Sequence, residues 1–501
     1  MDNQSPLFQI LQYLYSMNNN TTKDSNYPQD LILEETKEQR EFMEKIVLDF
    51  GHKFIHNLEQ DKVYHGHPDV HGDQLHEFEI DAHTQSLEEL LDTFDRNVLK
   101  TGLNPASGGH LGYIPGGGLY SSALGDFLAA LTNRYAGVFY ASPGAVKMEN
   151  ALIKWAGELI GYDQGFGGNL TSGGSIANLI ALTCARHHGK TLFNEMSKSI
   201  IYCSPQAHHS IFKAIQIIGM DSYAIHKIPL DNAFKLSVAH LEQQIEVDLK
   251  AGLNPFLVIA NAGSTDVGAI DPIEQVSAIC KKHSIWFHVD AAYGGFFALT
   301  KTGRDKLKGL QHADSIILDP HKGLFLPYGS GIVLVKKLKH LTNTFKFDAS
   351  YMQDSYKMDR ISPADMSPEL SKHFRGLRMW LPLKLYGPQA FANYLDEKLV
   401  LTSYLYTALL KLNFHVVCEP ELTVVAFRYE ANIHELGEIN RINKFILKTL
   451  LDDGRIFLSS TMIDDKFTLR AALLSFRTHK NHIDLLLDLL ANSLDTYSKR
   501  S

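Results

Sequence analysis

Ile285–Asp290 reads IWFHVD and runs straight into AAYGG, and Asp314–Asp319 reads DSIILD and runs straight into PHKG. Both runs are short, apolar and closed by an acidic residue before a turn, the form of a strand buried on both faces. Working outward, Ser199–Ser204 (SIIYCS), Phe256–Ala262 (FLVIANA) and Gly331–Lys336 (GIVLVK) have the same form. Helix-like stretches lie between several of them, at Ser175–Arg186, His208–Ile218 and Ile273–His283. Strands alternating with helices predict an α/β fold built on a mostly parallel sheet covered by helices.

Beyond about Tyr386 the pattern changes. A helix at Arg375–Tyr386 and a long one at Pro388–Leu412 precede expected strands near Phe414–Cys418, Thr423–Tyr429 and Thr468–Ser475, with helices near 435–451 and 480–496. That is the pattern of a smaller α+β domain. At the other end, Leu7–Met17 reads as an amphipathic helix, 18–26 as a polar linker, and Phe42, Ile46, Val47, Phe50, Phe54 and Leu58 recur at largely helical spacing. The expected division is an N-terminal helical arm (1–119), a large domain (120–385) and a small C-terminal domain (386–501). Glycine clusters at 108–118 and 165–174 read as loops.

Composition narrows the function. The 501 residues are 45% hydrophobic and 21% charged, ordinary for a globular chain of about two or three domains. A net charge of -8 argues against nucleic acid as a partner. No apolar run approaches the length of about 18 residues that a membrane span needs, and Leu7–Met17 has neither a basic leader nor a cleavage site. Four scattered cysteines suggest neither a disulfide framework nor a zinc site, so a soluble, cytoplasmic protein is expected. His65, His67, His71, His76 and His83 fit no zinc spacing, and a solvated or interface loop is the default reading.

Ligands of open parallel sheets gather beyond the carboxyl ends of the strands. The residues there are Asp290, then Asp319-Pro320-His321-Lys322, Ser264-Thr265, and Gln206-Ala207-His208. Thr171–Asn178 (TSGGSIAN) could offer bare N–H groups and a helix dipole to an anion at Gly174 and Ser175, although alone it reads first as a tight turn with a helix cap. Nucleotide loops fail on spacing: Gly189-Lys190-Thr191 lacks its upstream glycine, and no G-x-G-x-x-G occurs. Singly, Asp290 is a strand terminus, Lys322 a surface lysine and His208 a packed histidine. Together they offer an anion site, a carboxylate for a heterocycle nitrogen, an amine for an aldehyde and a ring to stack on. Pyridoxal 5'-phosphate meets all four.

With HVDAAYGG and DPHKG at this spacing, the chain resembles the group II pyridoxal-phosphate-dependent amino-acid decarboxylases, which include the aromatic-L-amino-acid, histidine and glutamate decarboxylases. The likeness runs from about 105 to 385 and more weakly through Phe467–His479 (FTLRAALLSFRTH). It implies a fold-type-I large domain, a homodimer, and an L-amino acid, aromatic as first choice, as substrate. It implies that Lys322 holds the cofactor as a Schiff base, Asp290 pairs with the pyridine nitrogen and His208 stacks on the ring facing substrate. Gly174, Ser175 and His321 would hold the phosphate, with Thr265 and Ala292 lining the cofactor.

Three departures stand out. Asp319 replaces the asparagine that animal members carry beside the phosphate. Gly116, in GYIPGGG, replaces a threonine of the substrate pocket, so the missing side chain would widen the pocket or admit backbone. The loop tyrosine near Cα matches Tyr356 best, with Tyr351 competing, in a polar 347–374 segment that would close over substrate. The rival readings are decarboxylation of glutamate or a diamino acid, aldehyde synthesis or carbon–carbon lysis on the same fold, and a catalytically silent scaffold. His208 favours simple decarboxylation, and Lys322 with Asp290 argues against the scaffold.

Overall fold

Strands buried on both faces need no polar alternation, and the central sheet is made mostly of such strands. The computed structural model describes residues 33–66, 77–80, 82, 84–192, 198–221, 223–346, 361–431 and 433–499. The expected 7–17 helix and 18–26 linker, and both loop tyrosines, lie outside these residues.

Among the described residues, one sheet contains β1 (Gly167–Thr171), β2 (Ser199–Cys203), β3 (Ala224–Lys227), β4 (Asn254–Asn261), β5 (Trp286–Asp290), β6 (Ser315–Leu318) and β7 (Gly331–Val335). Their order is β1-β7-β6-β5-β4-β2-β3. From β6 through β3 every pair is parallel. β7 runs antiparallel to β6, and β1 antiparallel to β7. The strands β2, β5, β6 and β7 are buried throughout, which is why they read as unbroken apolar runs.

Two strands of this sheet were not legible, and neither was Ser459–Ile463 further along the chain. β1 is GGNLT, inside a cluster that reads as a loop; its Gly168 sits where a Cβ would strike the Val333 carbonyl of β7. β3 (AIHK) is a partly exposed edge strand without an apolar run. Ile273–His283 has its expected bounds, and the Gly174–Leu192 helix runs past Arg186. The two helices expected around residue 387 form one run, Gly376–Lys411, broken at Gly387 (φ 73°, ψ 155°). The proline that follows it cannot donate a helical hydrogen bond, so the break falls there.

A second, antiparallel sheet has the order β10-β11-β9-β8, from β8 (Phe414–Val416), β9 (Val424–Tyr429), β10 (Ser459–Ile463) and β11 (Lys466–Ala472). Its core packs Phe427, Leu469, Ile446 and Leu486 with Leu405 and Leu409 of the long helix. Both sheets belong to one compact unit, Asn57–Glu79 with Asp95–Ser501. In the other unit, the Lys37–Asn57 helix buries none of its residues, and Phe50 and Phe94 lie 6.1 Å apart between ring centroids. No helix among the described residues is long and apolar enough to cross a membrane.

Candidate active site

The carboxyl ends of β2, β4, β5 and β6 point the same way, and the chain leaving each of them borders one cavity of about 260 Å³. Asp290 is the last residue of β5, with only 8% exposure. Its Oδ1 accepts from the Ala292 N–H at 3.1 Å, and its Oδ2 from Asn178 Nδ2 at 3.1 Å. Two donors leave this carboxylate an acceptor with a fixed direction.

Lys322 lies on the short Pro320–Gly323 helix, where Pro320 occupies the first turn and Asp319 caps it in extended conformation. Lys322 Nζ is 3.0 Å from Asp319 Oδ2. Asp319 is buried, its Oδ1 has no hydrogen-bond partner, and a Cβ on Gly174 would stand 2.8 Å from its Oδ2. The carboxylate therefore lies against the head of the Gly174–Leu192 helix, whose first N–H groups have no acceptor within the helix. His321 Nδ1 donates to the Ser330 carbonyl at 2.5 Å, and its Nε2 is 3.8 Å from Asp319 Oδ2. Burial lowers the His321 pKa, opposed by the Asp319 charge.

His208 caps the His209–Ile217 helix, its Nδ1 accepting from the Ser210 N–H at 3.3 Å and lying 2.7 Å from Ser210 Oγ. Burial lowers its pKa too, against the pull of Asp290. It borders the cavity together with Ser175, Thr265, Ala292 and Lys322. An anion-seeking helix end, a fixed buried carboxylate, an amine and an imidazole thus share one space, and pyridoxal phosphate suits that donor set.

The family model of the pyridoxal-dependent decarboxylase conserved domain matches residues 71–430. The chain is 34% identical over 395 residues to the aromatic-L-amino-acid decarboxylase of Bacillus atrophaeus, covering 78% of this chain and 82% of that protein. The chain belongs to the pyridoxal-dependent decarboxylase family. Tryptophan decarboxylase 2 of Oryza sativa subsp. japonica is 28% identical over 423 residues, covering 81% and 84%. The crystal structure of Oryza sativa TDC with PLP and tryptamine superposes with a TM-score of 0.86 at 22% identity, covering 92% of this chain and 99% of that one. The protein is accordingly a carboxy-lyase that decarboxylates an amino acid with pyridoxal phosphate.

In this decarboxylase Gly116 does not border the cavity. A Cβ there would collide with the His321 carbonyl, so the missing side chain admits backbone beside the Lys322 turn instead of widening a pocket. Thr265 is held from behind: its carbonyl accepts from Nε of the buried Arg470 at 2.7 Å. Tyr356 and Tyr351 fall outside the described residues, as do His67, His71, His76 and His83; His65 Nε2 lies 3.7 Å from Asp61.

Among the cavity residues given no role from the sequence are Asn178, Ser210 and Asn261. Asn261 closes β4, donating from Nδ2 to Ser204 Oγ at 3.2 Å and to Asp271 Oδ2 at 3.1 Å. Asn178 had a signal, since it lies four residues after Gly174 and so on the same helix face. Ser210 had none beyond following the double histidine.

Proposed function

We propose that this decarboxylase acts on an aromatic L-amino acid, with Lys322 as the amine that carries the cofactor aldehyde and Asp290 as the partner of the ring nitrogen. The observation that supports this best is that Lys322 and a doubly hydrogen-bonded Asp290 border one cavity. His208 is assigned to the ring face, Gly174, Ser175 and His321 to the phosphate, and Thr265 and Ala292 to the walls. The names of the Bacillus and Oryza relatives support the aromatic substrate.

When bound, pyridoxal phosphate supplies an electron sink for the pair left at Cα as carbon dioxide departs. The protein's part is electrostatic and positional. Asp290, held as an acceptor by Ala292 and Asn178, favours a proton on the facing ring nitrogen and so strengthens that sink. The helix head at Gly174–Ser175 orients an anion. His208, with Nδ1 occupied by donors from Ser210, keeps its proton on Nε2 as a group that can donate. Tyr356 is assigned the proton delivered to Cα.

Aromatic, acidic, imidazole and diamino L-amino acids offered to the reconstituted enzyme test the substrate class. An aromatic acid should give the highest kcat/KM for amine release; a non-aromatic acid preferred by about tenfold, a difference of 1.4 kcal/mol, would overturn the assignment.

The functional form is proposed to be a homodimer. Tyr120, Leu124, Phe127, Leu128 and Leu131 stand exposed along one helix, and Phe42, Met43, Val47 and Leu48 along another, more apolar surface than a monomer ordinarily leaves in water. Light scattering should give twice the mass of one chain; an active monomer would contradict this. Domain limits of 1–119, 120–385 and 386–501 are retained with this proposal. A reducing, cytoplasmic setting is supported by the free thiols Cys184, Cys203 and Cys280, all buried.

A further inference from the structure

Asn178, 1% exposed, is the branch point of a hydrogen-bond chain that runs along one face of the sheet. Its Nδ2 lies 3.1 Å from Asp290 Oδ2 and 3.1 Å from Ser210 Oγ, while its Oδ1 lies 2.9 Å from His288 Nε2. An ionised carboxylate only accepts, so the amide nitrogen must face Asp290, and both amide hydrogens are then used. The Oδ1 in turn accepts from His288 Nε2–H. That leaves His288 Nδ1 to accept from Ser315 Oγ–H at 2.9 Å, and Ser315 Oγ to accept from Trp286 Nε1–H at 2.9 Å.

The direction is set at both ends. An indole N–H can only donate and Asp290 accepts, so every donor between them points toward the carboxylate. The branch has a direction as well. Ser210 Oγ, having accepted from Asn178, donates to His208 Nδ1 at 2.7 Å, and the Ser210 N–H reaches the same nitrogen at 3.3 Å. A nitrogen facing two donors carries no proton, so neutral His208 carries its proton on Nε2.

We infer that Asn178, aligned by His288, is a positioning residue that couples Asp290 to His208, one amide fixing the carboxylate as an acceptor and, through Ser210, the tautomer of the imidazole. The inference rests on the reading of Asp290 and His208 given above. Burial pushes the His288 pKa down to about 4, so the chain keeps its direction at neutral pH. The other ionisable groups acting on His208 are Asp290, His209, Lys322 and Asp319. His288 and Ser315 are fully buried and do not border the cavity, so their hydrogen bonds reach it through Asn178.

The test uses the reconstituted holoenzyme and follows the pH titration of the bound cofactor's visible absorbance beside kcat and KM. Asn178→Leu and His288→Leu should each move the titration midpoint by about half a unit or more, in the direction that Asp290→Asn moves it. Each should lower kcat by about tenfold while KM stays within about twofold. His288→Gln, whose amide N–H replaces Nε2–H, should restore midpoint and kcat toward the parent values. If both leucine variants bind cofactor and keep the parent midpoint and kcat, the coupling is wrong. Failure of His288→Gln to recover either quantity counts against it as well. Should Asn178→Leu not fold, the two His288 variants carry the test alone. An unmoved midpoint in Asp290→Asn itself would instead sink the reading of Asp290 on which the coupling depends.

Discussion

Asp319 Oδ2 lies 3.0 Å from Lys322 Nζ, and the same carboxylate rests against Gly174 at the head of a helix. A phosphate bound at that helix would therefore meet a negative side chain already in place. Replacing it by an amide of the same shape removes the repulsion and keeps a hydrogen-bonding group.

Asp319→Asn should therefore tighten pyridoxal-phosphate binding by about fivefold, on the order of 1 kcal/mol for one screened like charge. Equilibrium titration of the apoprotein with cofactor reads this directly. Binding weakened tenfold would mean that the carboxylate is needed to hold the cofactor.

How much of this was legible in the sequence depended on whether the cause was local. β2, β4, β5, β6 and β7 announced themselves because strands buried on both faces are continuous apolar runs, and Asp290 and Lys322 because they follow such runs. β1 stayed hidden because its glycines serve contact with β7, which no local pattern records. At Gly116 the sequence left a wider pocket and a backbone approach equally open, because the neighbour that decides it, the His321 carbonyl, is two hundred residues away in sequence. Asn178 matters through His288 and Asp290 of β5, a pairing visible only once the sheet is built.

Tyr356→Phe should slow amine formation and raise the share of aldehyde or ketone by-products, with cofactor binding intact. A phenol is a suitable donor because a site can bring its pKa of about 10 toward the working range. Product ratios by chromatography decide it. Parent-like rate and ratio would pass the role to His208 Nε2 or a water.

Lys372, its side chain fully buried, donates to Glu149 Oε2 at 2.9 Å and Asn169 Oδ1 at 2.8 Å, and Glu149 Oε1 accepts from the Gly376 N–H at 3.1 Å. Lys372→Met leaves a buried carboxylate without its cation, so stability should fall by about 3–5 kcal/mol. The urea unfolding midpoint of Lys372→Met, with Lys372→Met/Glu149→Gln recovering much of the loss, is the expected pair of results. A single variant as stable as the parent would show that the pair is dispensable.

Burial pushes the pKa of His110, packed against Phe457 at 5.7 Å between ring centroids, down to about 4. Its folded value lies below the unfolded value of about 6.5, so its stabilisation is complete above that pH and lost as pH falls toward 4. His110→Phe keeps the ring and removes the titration. The fall in Tm between pH 6.5 and 4 should become shallower but not vanish, since His288 and His340, also pushed down to about 4, and other groups with lowered pKa still titrate. An unchanged pH profile of Tm would refute this.

Borohydride reduction of the holoenzyme followed by peptide mapping asks which amine carries the cofactor. The reduced pyridoxyl group should appear on the peptide containing Lys322 and disappear in Lys322→Ala, together with amine production. A pyridoxyl group on any other lysine, or undiminished turnover in Lys322→Ala, would contradict the site described here at its centre.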